Sequence, residues 1–324
     1  MARIVFGIGT SHSSQLSIAP ADWAEQAELD KSRTAWDDLL RRTRPNISDE
    51  LGSDVQEQRH ERAQQALRRL AETVRSHAPD VLVVVGDDQG ELFPHEAVPA
   101  IAVSLTDGMY DIPPDFDSLD PIRRKAVWAF HAESREFYRF APALSEHLAN
   151  SLNSAGFDLT VLRAQPESRT LGHAWTFIRR RLTGDQTAAM VPVFLNTYFG
   201  PNRPTPARCV ALGSALAQAV ESFPDDIRVG FVASGGLSHF VIDEQLDRRI
   251  IDALKAADME QLAGEAPEQF TSGTSEILNW ITVGSALRHL QFDLIDYIPA
   301  YRSIAGTGCG FAFGAWTTAG DVSR

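Results

Sequence analysis

Five side chains suited to holding a metal ion or moving a proton stand where regular structure is about to begin or end. His12 lies in "GIGTSHS" (7–13), directly after the apolar run Ile4-Val5-Phe6. Gln89 lies in "GDDQGELF" (86–93), after a run of valines, and His173 in "TLGHAW" (170–175), ahead of a helical pattern over 177–182. His239 closes "ASGGLSHF" (233–240), where two glycines let the backbone pass close to a ligand. Glu276 heads "SEILNWITVGSAL" (275–287), whose stripe Ile277, Trp280, Ile281 and Leu287 faces inward. Imidazole, carboxylate and amide groups are ligands for divalent transition metals, and imidazole also titrates near neutral pH. Singly, each has an ordinary reading: a strand-end histidine satisfies turn backbone, and a carboxylate in a first helical turn complements the helix dipole. As a set they need a scaffold that brings them together.

Short β-branched runs lie at 4–9, 81–86, 100–105, 159–163, 190–196 and 228–234, four of them ending in Gly, Asn or Ser, and helical patterns lie between most of them. This alternation predicts an α/β protein: one domain with a central, mostly parallel or mixed sheet flanked by helices. In open α/β sheets ligands collect beyond the carboxyl ends of the strands. The loops holding His12, Gln89, "NTYFGPN" (196–202) and His239 are therefore expected on one rim. Residues 17–53 differ, with Pro20, Trp23 and Trp36 among many charges and only short helical patterns. They are read as an N-terminal helical insertion or lid over the sheet edge.

Composition narrows the chemistry. The 324 residues carry 30 Lys and Arg against 43 Asp and Glu, a net charge of −13. That balance argues against a surface that tracks nucleic-acid phosphates. No apolar stretch approaches the ~20 residues that span a bilayer, and the N-terminus lacks a signal-like apolar region. The expectation is a cytoplasmic protein with a small-molecule substrate and neither nucleic-acid nor membrane partners. Cys209 and Cys309 are too few for a thiolate zinc cage or a disulfide framework, so a metal must use His, Asp, Glu or Gln. "GIGTSH" lacks the third glycine of a dinucleotide fingerprint, "ASGGLSH" lacks G-x-S-x-G, and "DDQGE" lacks calcium-loop spacing.

In this order across nearly the whole chain, "GIGTSHS", "GDDQGELF", "VPVFLNTYFGPNRPTPARC", "ASGGLSHF" and "SEILNWITVGSAL" resemble the class III, protocatechuate 4,5-dioxygenase-like extradiol dioxygenases, most nearly the 3-O-methylgallate dioxygenase branch. The resemblance implies a mononuclear Fe(II) held by two histidines and a glutamate, O2 as co-substrate and a small aromatic diol as substrate. It places His12 and Glu276 as metal ligands, His239 as the acid/base beside a ring hydroxyl, and His173 in the oxygen and substrate pocket. Homodimerisation is an expectation from the resemblance alone. One position departs: where the protocatechuate enzymes have Asp-His after the strand, this chain has Asp88-Gln89.

Two readings fill that gap. On the helical pattern beginning near Asp54, His60 shares a stripe with Ala63, Leu67, Leu70 and Val74, at the end that should lie near the strand's carboxyl terminus. Either His60 supplies the second imidazole with Gln89 orienting it, or Gln89 ligates through its amide oxygen. Imidazole suits Fe(II) better, which favours His60. Competing with ring cleavage are a Zn-dependent hydrolase on the same scaffold and a non-catalytic binding protein that keeps the pocket. An acidic aromatic substrate calls for a cation, and Arg302 in "YIPAYRSIAG" is the candidate, set against a plain surface charge.

Overall fold

The run Val81–Gly86 is buried at every position, which a strand tolerates only where both faces of its sheet are covered. Its side chains divide by parity: Val81, Val83 and Val85 join one apolar core, Leu82 and Val84 the other. The computed structural model describes residues 1–184 and 188–318. Its strands are β1 (Arg3–Thr10), β2 (Val81–Gly86), β3 (Ile101–Ser104), β4 (Gly108–Asp111), β5 (Glu136–Arg139), β6 (Thr160–Leu162), β7 (Ala189–Leu195), β8 (Arg228–Ser234), β9 (His239–Val241), β10 (Gln291–Tyr301) and β11 (Thr307–Thr317).

Nine of these form one sheet in the order β10-β11-β1-β8-β2-β7-β3-β6, with β9 paired to β11, while β4 and β5 pair separately. The central strands β1, β8, β2 and β7 run parallel, and β11 and β3 flank them antiparallel. The fold is thus the α/β class expected, with a mixed sheet. Pro142–Ser154, Pro206–Ser222, Glu244–Lys255 and Ile277–Ala286 cover one face. Ser53–His77 and His173–Ile178 cover the other.

All six expected strands are present. The long antiparallel pair β10 and β11 was not among them. Glycines at 308, 310 and 314 break the apolar pattern of β11, and a side chain at Gly314 would run into the Phe292 ring. The segment 17–53 forms helices Trp23–Arg33 and Trp36–Arg42 joined to single helical turns. Trp23 is fully buried, donates from Nε1 to the Gln15 carbonyl and meets the Phe311 ring, so the first helix belongs to the core. The second buries no residue.

Register decides what leaves the sheet together. Thr10 pairs with Ser234 and Val85 with Ala233, so β1, β8 and β2 end side by side. Ser11-His12, Gly235-Gly236 and Asp87-Asp88-Gln89 therefore emerge on one edge. The loop after β7 leaves the same edge but closes on itself, with Asn196 tied to Phe199 and Asn202.

Candidate metal centre

His12 is 4% exposed, and its protonation pattern follows from its neighbours. The Ser234 hydroxyl donates its single proton to the Ala174 carbonyl at 2.6 Å, so toward His12 Nδ1, at 2.9 Å, it can only accept. Nδ1 therefore carries the hydrogen, and Nε2 presents a lone pair. Nε2 is buried without a hydrogen-bond partner and faces Glu276 Oε2 at 3.4 Å. Burial lowers the pKa of this imidazole, which favours the neutral ligand form.

Glu276 stands at the junction of the turn Ser272–Glu276 and the helix Ile277–Ala286, where its carboxylate is directed back to the sheet edge. Oε2 accepts from the Gly236 amide at 2.6 Å, and Oε1 lies 3.4 Å from His239 Nε2. Burial works against this charge, yet His239 and His12 hold it well below the usual carboxylate range. Gly235 sits at φ +105°, and a side chain there would overlap the Glu276 carboxylate.

Asp87, directly after β2, brings a second carboxylate. Burial, with Glu276 adding to it, pushes its pKa up to about 7. Its Oδ1 is buried with no partner. Gln89 donates from Nε2 to Asp87 Oδ2 at 3.1 Å and to Glu276 Oε1 at 3.3 Å, joining the two carboxylates. The adjacent Asp88 is spent locally, accepting from the amides of Gly90, Leu92 and Phe93 to shape the turn.

Two more imidazoles face the same space. His173 Nδ1 lies 2.7 Å from Glu91 Oε1, which also accepts from the His173 amide at 3.0 Å. Burial alone would lower the His173 pKa, but Glu91 raises it to about 10, and Glu91 itself is held down to about 2. Glu91 thus favours the protonated form of His173, in which Nε2 is a donor. His239 directs Nδ1 to the Leu237 carbonyl at 2.9 Å, leaving Nε2 toward Glu276, and that carboxylate holds its pKa well above 6.5 against burial.

Among the described residues, one donor atom from each of His12, Asp87, His173 and Glu276 lies within 4.8 Å of the others. An orphaned imidazole nitrogen, an orphaned carboxylate oxygen and two mutually repelling buried carboxylates fit a divalent cation. His12, Glu276, Gln89, His173 and His239 lie together at this edge, linked through Glu276 and the His12 ring. His60 does not join them: its ring faces Trp23 across 6.4 Å, it feels the charge of Arg181, and its Nδ1 is buried without a partner. The helix face was read as it is, but the helix sets His60 against the N-terminal segment instead of over the strand end. Arg302 is neither a surface charge nor free, because Asp30 fills its fork with two 2.8 Å bonds. Asp87 was missed. The available signal was the acid pair itself, since one turn needs one capping aspartate and leaves the other over.

The sequence family described as the catalytic LigB subunit of aromatic ring-opening dioxygenase matches residues 45–311. A gallate dioxygenase of Pseudomonas putida is 29% identical over 182 residues, 50% of this chain and 51% of that protein. Two proteins named 2,3-dihydroxyphenylpropionate/2,3-dihydroxicinnamic acid 1,2-dioxygenase are also similar. That of Comamonas testosteroni is 26% identical over 54% of this chain and 47% of its own length. That of Mycobacterium ulcerans is 24% identical over 65% and 64%. The chain thus spans about half the length of the first two relatives. Among the described residues, no helix is long and apolar enough to cross a membrane.

Proposed function

Because the chain belongs to the family of catalytic LigB subunits of aromatic ring-opening dioxygenases, we propose that it is a non-haem Fe(II)-dependent extradiol dioxygenase. Its substrate in this reading is a catecholic or gallate-like aromatic acid, opened with O2. His12 through Nε2, Glu276 and Asp87 hold the metal, and Gln89 keeps the two carboxylates in place. When bound, Fe(II) supplies Lewis acidity and open coordination positions for neighbouring ring oxygens. The observation that carries the reading is the buried, partnerless Nε2 of His12, its tautomer set by Ser234, turned toward Glu276.

The remaining groups handle protons and charge. His239 exchanges a proton with a ring hydroxyl at Nε2, the nitrogen that the Leu237 carbonyl leaves free. His173, held cationic by Glu91, donates from Nε2 to oxygen that gains negative charge during cleavage. Phe130 and Phe177 stand beside His173 and His12, with ring centroids 6.1 and 6.2 Å away, and supply faces for a planar ring. The similarity to a gallate dioxygenase and to dihydroxyphenylpropionate dioxygenases supports an acidic diol as substrate.

The test is oxygen consumption by purified protein reconstituted anaerobically with Fe(II), given 3,4-dihydroxybenzoate, gallate or a methoxylated gallate. Uptake that a chelator abolishes is expected. Full activity with Zn²⁺ alone refutes the proposal and favours a hydrolase. A folded protein that retains no metal favours a binding role.

A further inference from the structure

We propose that Arg181 recognises the carboxylate of the aromatic acid, an inference that rests on the ring-cleavage reading and adds the residue that reads the acid group. Arg181 shares a helical face with two residues of the site. His173, Phe177 and Arg181 are spaced i, i+4, i+8 along His173–Ile178 and the wider turn Arg179–Thr183 that continues it. Such widened turns recur at functional positions. Eight residues put Arg181 about 12 Å along the axis from His173, and helical side chains lean back toward the N-terminus. The guanidinium carbon accordingly lies 5.6 Å from the Phe177 ring centroid, and that ring lies 6.2 Å from the His12 ring, so Phe177 links Arg181 to the metal-binding groups. In this proposal the ring lies along Phe177 and a short acidic chain reaches the guanidinium.

Among the described residues, the surroundings of Arg181 suit a cation but offer no counter-charge. The guanidinium lies 4.6 Å from the Trp128 ring centroid, and Trp128 is 50% exposed. Nη1 donates to Ser17 Oγ at 3.1 Å and Nη2 to Gln64 Oε1 at 2.6 Å, both neutral acceptors. No carboxylate pairs with it among the described residues, and burial alone pulls its pKa down to about 10. One helical turn before Gln64 stands His60, with Nδ1 buried and unpartnered. A mostly buried cation beside an unused imidazole nitrogen, flanked by aromatic faces, is costly unless an anion completes it. A planar carboxylate matches the guanidinium fork and stacks with its ring against Phe177.

The test uses tryptophan fluorescence on the protein without added metal, titrated with cinnamate and with uncharged cinnamamide. KM is then compared for 3,4-dihydroxycinnamate and 4-methylcatechol on the Fe(II)-loaded protein. Wild type is expected to prefer the acid. Arg181→Met should cut acid affinity roughly 10- to 100-fold, the worth of a charged hydrogen bond, and leave the amide unchanged. Arg181→Lys should recover part of the loss. The melting temperature of Arg181→Met should hold or rise, because a mostly buried charge without a carboxylate partner among the described residues is removed. An unchanged acid-to-amide ratio in Arg181→Met overturns the proposal, as does a steep loss of stability in both variants, which would make Arg181 structural. An Arg181-dependent acid preference without oxygen uptake on any diol would sustain the anion site and remove the ring-cleavage reading.

Discussion

Arg302 and Arg181 are both largely withdrawn from water, and their neighbours treat them in opposite ways. Asp30 meets Arg302 with both oxygens and Gln15 takes a further donor at 2.7 Å, so the guanidinium is filled by groups within the fold. Among the described residues, Arg181 donates to a hydroxyl and an amide oxygen and to no carboxylate. The same contrast separates adjacent acids after β2: Asp88 accepts three backbone amides, while Asp87 keeps an oxygen with no partner. Arg302 and Asp88, saturated within the fold, hold the scaffold, whereas the open oxygen of Asp87 faces the proposed metal and the carboxylate-free fork of Arg181 the proposed acid.

The strongest way to break this contrast is at the open end. Glu276→Ala, His12→Ala and Asp87→Ala should each reduce iron content to background with the fold intact, measured by metal analysis and circular dichroism. Gln89→Ala should weaken retention only about 10- to 100-fold. His60→Ala should retain iron; loss of iron there would return His60 to the metal.

His239→Gln separates holding the metal from moving the proton. Iron binding should stay normal while turnover falls about 10² to 10⁴-fold, the usual share of an acid/base group. Iron content falling in step with turnover would make His239 a ligand.

At the saturated end, Asp30→Ala strands Arg302 without a counter-charge and should cost about 3–5 kcal/mol in urea denaturation. Replacing both partners by apolar residues of similar volume should recover most of it. A single-variant cost near zero would end the distinction between the two arginines.

The smallest effect concerns pH. His173 is raised to about 10 from its ordinary 6.5, so its contribution is full below pH 6.5 and lost as pH rises through 10. Glu91 is lowered to about 2 from 4.5, so its contribution is full above pH 4.5 and lost as pH falls through 2. The stability advantage of wild type over Glu91→Gln should therefore be widest between pH 4.5 and 6.5 and shrink on both sides. Denaturation midpoints across pH check this, and an advantage unchanged up to pH 10 would contradict the pairing.

Local information was enough for much of this molecule. A strand betrays itself by β-branched runs closed with small residues, so β1, β2, β7 and β8 and the loops beyond them were legible, and with them His12, Gln89 and His239. Glu276 was legible from the apolar stripe it heads. The amphipathic face of Ser53–His77 was legible too, because periodicity is a property of neighbours in the chain. What periodicity cannot carry is where that face lands, and His60 came to rest beside Trp23 and not beside His12. Nor can it tell which of two adjacent aspartates the turn consumes. Arg302 and Arg181 look alike as letters. They differ because a partner 272 residues away in sequence closes on one fork while, among the described residues, no carboxylate pairs with the other, and such pairings exist only once the sheet and its covering helices have set the distances.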